Sequence, residues 1–321
     1  LASFQLEILG IFMEFCYLET LGLPIHKLNG ANGVAEKKVL SSNSKEATKC
    51  ETPVMGSGDG VGAVREMKPQ NALQEAARHQ TRPLYMDGTY VFHCDAQVIS
   101  VALKEEDPEV LVVELDQTVF HPQGGGQPSD TGMLMADGLP NLTVAFVCKD
   151  KAKEGVIRHE CKGSSGDIQA WLQRKERTWP VRCQVDEGKR RLNARLHSAG
   201  HLLDVAIFAL GFRWQAGKGY HFEEGPYVEY IPTKEGRQLD VKDAKAKATV
   251  MDEISEKMKE LIGKNISTEV GLVNGMRTVS MDGVSCGCGG THVEASGEIK
   301  EVTIKKIQAK QGNIRVSYAV L

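Results

Sequence analysis

The chain has 321 residues, of which 41% are hydrophobic and 25% charged. That is the balance of a folded globular protein with room for about two domains. Its formal charge of −3 excludes a polycation, so any contact with nucleic acid must come from a local basic patch. No stretch approaches the roughly 20 apolar residues that cross a bilayer, and the eight scattered cysteines lack the spacing of a disulfide framework. They read as mostly reduced thiols with a metal site possible among them, in a cytoplasmic protein with no membrane partner.

The opening LASFQLEILGIFMEFCYLETLGL is interrupted by Glu7, Glu14 and Glu19 and lacks a basic leading region, so it makes a poor secretory signal. Residues 29–82 are small and polar, and residues 1–82 are expected to form a largely disordered extension. From residue 83 to 180 the text changes to short β-branched and aromatic runs (TYVFHCDAQVISVAL, VLVVELDQTVF, GMLMADG, LTVAFVC, GVIRHEC). Asp-Gly and Lys/Asp clusters separate them, the signature of a small, mainly antiparallel β domain.

Within that domain stands HPQGGGQP. Glycine gives up the most chain entropy on folding, so three in a row need a local reason. The run lacks the Lys-Ser/Thr of a P-loop, which argues against an ATP-binding fold. Absent side chains let backbone approach a ligand closely, and Gln127 offers both a donor and an acceptor. A linker is the competing reading, opposed by the stiffening Pro122 and Pro128.

Helices lead the remainder, residues 181–321. Asp186 is placed to cap a helix running from about Lys189 to Gly211, and DVKDAKAKATVMDEISEKMKELIGK repeats apolar positions at helical spacing. Strand-like TEVGLV, RTVSM, EVTIKKIQA and IRVSYAVL follow, so this half is α+β. His197 and His201 share one face of the first helix, one turn apart, in otherwise small or apolar surroundings. Cys288 and His292 repeat the four-residue offset on the glycine-rich turn CGCGGTH. Thiolate and imidazole are the preferred ligands of zinc, and two such pairs together favour a metal site. A reduced thiol pair beside an unrelated histidine is the alternative, and Cys286 is a competing ligand. Positions 198–200 hold Ser, Ala and Gly, so the Glu of a zinc peptidase helix is missing.

HSAGH and CGGTH, about 90 residues apart and preceded by GGGQP, resemble the alanyl-tRNA editing proteins. These are freestanding relatives of the editing domain of alanyl-tRNA synthetase, related also to that of threonyl-tRNA synthetase. The resemblance extends over roughly residues 82–321 and takes in KGYHFEEGPYVEY and GNIRVSY. It implies a β-barrel-like domain followed by an α+β editing domain of the second-additional-domain type. It implies a zinc-dependent hydrolase acting in trans on alanine tRNA that carries serine, with glycine as a second substrate. By position the ligands of one zinc ion would be His197, His201, Cys288 and His292, and Gly124, Gly125, Gly126 and Gln127 would line the substrate side. Where the family commonly has proline before the cysteine, this chain has Gly287.

The expected chemistry is attack of a zinc-held water on the ester, with no protein base assigned and with Thr291 and Tyr220 as further substrate contacts. Residues 149–195 hold 13 Lys and Arg against 7 Asp and Glu. Lys189, Arg190, Arg191 and Arg195, leading into the metal helix, are the expected tRNA contacts, a solvated helix face being the alternative. The competing function is a non-catalytic, zinc-stabilised module that binds tRNA or protein.

Overall fold

The computed structural model describes residues 80–321, and the expected extension lies outside them except for its last three residues. The first half runs β1 (Arg82–Pro83), β2 (His93–Lys104), β3 (Asp107–Leu115), β4 (Gln117–Thr118), β5 (Gly132–Met135), β6 (Leu142–Lys149), β7 (Ile157–Lys162), α1 (Ser165–Leu172) and β8 (Trp179–Val185). Six of these strands close into a barrel in the order β2-β3-β7-β6-β5-β8. Closure follows from period-two burial: in β8, Trp179, Val181, Cys183 and Val185 point inward while Pro180, Arg182 and Gln184 face out. Leu111, Val113, Leu134, Leu142 and Val144 fill the interior. The expected domain boundary at 180 falls inside β8, the strand that joins β2 to β5.

The second half runs α2 (Glu187–Ala209), β9 (Gln215–Tyr220), β10 (Tyr227–Ile231), α3 (Ala244–Gly263), β11 (Glu269–Val273), β12 (Met276–Met281), β13 (Val284–Gly287), β14 (Val302–Lys310) and β15 (Asn313–Val320). The sheet β14-β15-β10-β9 packs against α2 and α3 over Leu202, Leu203, Ala206, Ile254, Met258, Ile304, Ile307 and Val316. The described residues therefore form an α+β fold, a barrel followed by a sheet with two long helices. None of the described helices is long and apolar enough to cross a membrane.

Helix α2 is the piece that positions the site. Asp186 caps it, its side chain accepting from the Lys189 amide. Behind the cap, Arg190 is fully buried, and its guanidinium pairs with the fully buried Asp130 of the barrel. It also donates to the carbonyls of Thr89 (2.9 Å) and Val119 (2.5 Å). Arg190 satisfies carboxylate and carbonyls at once, the use for which a planar five-donor group suits a buried position. The start of the helix is thereby fixed to the barrel wall.

Candidate active site

The first histidine pair projects from α2 and the second motif arrives on the turn after β13. Arg277 of β12 shapes that turn, donating to the carbonyls of Cys288 (2.6 Å) and Gly290 (3.3 Å). The turn is pinned to α2 by the Val293 amide on Ser198 Oγ, 3.0 Å, and to the segment before β2 by the His292 amide on Thr89 Oγ1, 3.0 Å. Close approach requires glycine at 290, where an added Cβ would stand 2.2 Å from His197 Cε1. The outcome is one cluster: a donor atom from each of His197, His201, Cys288 and His292 lies within 4.8 Å of the others.

Hydrogen bonds decide which nitrogens face the cluster. Gln127 Oε1 accepts from the Thr291 amide (3.0 Å), and its amide nitrogen donates to Thr291 Oγ1 (2.9 Å). The same Oε1, 2.7 Å from His197 Nδ1, must accept from it as well. His197 therefore carries its proton on Nδ1 and presents the lone pair of Nε2, 3.4 Å from Cys288 Sγ. His201 meets Cys286 Sγ at Nδ1 (3.3 Å), while its Nε2 is buried with no hydrogen-bond partner. Cys286, the competing ligand, thus stands against the outer nitrogen of His201 and outside the group of four.

Burial keeps these imidazoles neutral. It lowers His201 to about 4, with Arg277 adding to the effect. His197 and His292 fall well below the ordinary histidine value for the same first reason, and neighbouring histidines lower them further. Burial raises the Cys288 thiol, opposed by the Gly290 amide and by Arg277. Three neutral imidazoles and one thiol, with a buried nitrogen unsatisfied, form a donor set that fits zinc.

The cluster opens on a cavity of about 460 Å³. Gly124, Gly125 and Gly126 line it, and they form a tight turn closed by the Gly124 and Gln127 backbones at 3.2 and 3.0 Å. Gly125 and Gly126 have φ of 57° and 76°, which a turn of this kind demands at both central positions. The Gly126 carbonyl accepts from the His221 amide, 2.8 Å, which ties the barrel's turn to the far wall of the cavity. Tyr220 lines the cavity too, stacked on Phe222.

Two expected substrate contacts differ. Gln127 and Thr291 are fully buried and do not line the cavity, because their polar groups are spent on each other and on His197. The expected tRNA contacts divide as well. Arg190 is enclosed against Asp130, and Arg195 is committed to the carbonyls of Ile299 and Leu321. Lys189 stays exposed, as does Arg191, whose guanidinium covers the Tyr90 ring at 4.7 Å.

Among the lining groups, Asp204 and His221 were given no role from the sequence. Asp204 stands three residues beyond His201, where helical spacing alone would have put it on the same face. His221 stacks on His197, ring centres 4.6 Å apart. Tyr318 donates to the Leu196 carbonyl (2.8 Å) and so accepts from His221 Nδ1 (2.8 Å), leaving Nε2 of His221 as an acceptor. Lys149 and Lys218, both exposed, stand at the mouth.

Residues 276–316 match the family described as the threonyl and alanyl tRNA synthetase second additional domain, a span holding Cys288 and His292. The chain is 29% identical over 242 residues to the alanyl-tRNA editing protein AlaX-M of Methanosarcina acetivorans, covering 68% of this chain and 93% of that protein. Its counterpart in Methanosarcina barkeri is 28% identical, over 73% of this chain and 98% of its own length. Similarity to the alanine--tRNA ligase of Halobacterium salinarum, 29% identical, takes in 75% of this chain and only 26% of the ligase. Over the barrel, the four-donor cluster and the closing sheet together, the chain is similar to the alanyl-tRNA editing proteins along almost their whole length.

Proposed function

We propose that the protein is an aminoacyl-tRNA deacylase that edits alanine tRNA in trans. It cleaves the ester between a wrongly attached amino acid, serine first and glycine second, and the terminal adenosine. One zinc ion would be held by His197, His201, Cys288 and His292. The observation that carries this reading is the gathering of those four donors beside an open cavity, whose wall His197, His201 and Cys288 share with the bare backbone turn Gly124, Gly125 and Gly126. Its support from relatives is the similarity to proteins named for alanyl-tRNA editing over almost their whole length.

When bound, zinc supplies Lewis-acid polarisation and brings water nearer to ionisation at neutral pH. The protein does the rest by position. Gln127 holds the His197 ring in one tautomer, and Gly126 brings the turn against the wall near the cluster. The amides of Gly125 and Gly126 are not used to close the turn, and they serve as donors for the oxygen that becomes negative during attack. His221 Nε2 supplies an acceptor to a serine hydroxyl. A site built to satisfy a hydroxyl rejects the analogue lacking it more strongly than an apolar pocket rejects an added one, which spares alanine. Lys149 and Lys218 at the mouth, with Lys189 and Arg191 on α2, are the phosphate contacts.

The test is deacylation of serylated, glycylated and alanylated alanine tRNA by the intact protein, after chelation, and as Cys288→Ala. Loss of serine with alanine retained, abolished by chelation and by the substitution, is the expected result. A folded, zinc-loaded sample that hydrolyses none of the three would contradict it and leave a binding module whose metal only supports the fold.

A further inference from the structure

Among the described residues Asp204 is the single carboxylate lining the cavity, and it makes no hydrogen bond with the four-donor cluster. It stands seven residues after His197 and three after His201 on α2, so the three side chains share one face of the helix. It nevertheless lies outside the group of four donors. Its Oδ1 accepts from Tyr230 Oη at 2.6 Å. Tyr230 is itself held in the core, 1% exposed and 5.9 Å from the Trp214 ring, so the carboxylate is fixed from behind.

What this carboxylate lacks is a cation. No Lys, Arg or His among the described residues pairs with it; burial and the Tyr230 hydroxyl dominate its surroundings. Burial pushes its pKa up to about 7. A desolvated carboxylate with one neutral donor and an oxygen to spare is unfavourable as it stands and gains from a charged donor brought by a ligand. The cavity is also polar along its depth. Lys149 and Lys218 are exposed at the mouth, whereas Asp204 is half-buried within. A ligand matching that order is cationic at its inner end and anionic at its outer end. An amino acid esterified to a nucleotide has this arrangement, with the α-ammonium leading and the phosphates trailing.

We infer that Asp204, braced by Tyr230, is the subsite for the α-ammonium group of the aminoacyl ester and fixes the acyl group relative to the four-donor cluster. This deepens the deacylase reading and rests on it. Asp204 touches the α-ammonium, whose charge does not change in the reaction, and neither the carbonyl nor the leaving oxygen, so its loss raises KM more than it lowers kcat.

The test pairs Asp204→Asn, which keeps an acceptor for Tyr230, with substrates that have or lack the cation. For seryl-tRNA the variant should show KM raised about tenfold or more, the scale of one charged hydrogen bond, with zinc content unchanged. N-acetylseryl-tRNA should be cleaved at the same reduced efficiency by both proteins. In parallel, calorimetry on the zinc-loaded proteins should show serinamide binding to the wild type and lost in the variant, with N-acetylserinamide bound weakly by both. Equal loss on both tRNA substrates, or no loss on either, would overturn the inference. If the wild type hydrolyses no aminoacyl-tRNA, the deacylase reading fails on its own and serinamide decides. Binding lost in Asp204→Asn upholds the ammonium subsite, and binding unchanged removes it.

Discussion

Gln127 shows how a side chain singled out from the sequence as a substrate contact can be occupied within the protein instead. Its place after three glycines suggested a substrate contact, yet it faces inward and orients His197. Which way a side chain leaves a tight turn is set by what packs behind it, here Thr291 from 164 residues away, and no local pattern records that. The substitution Gln127→Ala strands the Nδ1 proton of His197 and the Thr291 amide. It should weaken zinc binding about 10- to 100-fold, read by competition with a chelator of known affinity. Unchanged affinity would mean that the ring is held by its other contacts. The four candidate ligands were legible for the opposite reason: the repeated offset of four is a local pattern, and the fold had only to bring two such pairs together.

Helix α2 carries the same lesson at the scale of an element. Its cap at Asp186, its extent and the face bearing both histidines follow from helical spacing and are present in the structure. The basic run at its start was read by charge alone, and the structure divides it by depth, burying Arg190 against Asp130 while Lys189 reaches solvent. Replacing Arg190 with Met leaves the Asp130 carboxylate buried and unpaired, and should cost about 3–5 kcal/mol of stability in thermal or denaturant unfolding. Lys189→Ala should change stability by no more than about 0.5 kcal/mol. Comparable losses in the two variants would contradict this division. Strand β8 was missed although WPVRCQV alternates, because its lone aromatic and interior proline weaken the usual strand composition. Its inward residues matter only once β2 and β5 lie on either side.

At the scale of the molecule, four buried histidines and the half-buried His201 gather where the barrel meets the helical half. His197, His201, His221, His292 and His121 all have pKa values lowered chiefly by burial, His221 and His121 to about 3. The unfolded chain protonates them near the ordinary value of about 6.5. Below that pH the unfolded state binds more protons than the folded one. The metal-free protein should therefore lose stability as pH falls from about 6.5 towards 4, each histidine contributing up to about 1.4 kcal/mol per pH unit. Urea unfolding of chelated protein across that range would show it, and a flat profile would mean that the cluster is open to solvent. Bound metal should shift the loss to lower pH by competing with protons for the same nitrogens. The central claim, that the four-donor cluster is a metal centre on which hydrolysis depends, is tested most directly by titrating chelated protein with zinc while following release of serine from seryl-tRNA. Activity should return in proportion to bound zinc and level off at one ion per chain. Full activity in the chelated protein, or zinc bound at that ratio with no return of activity, would contradict it.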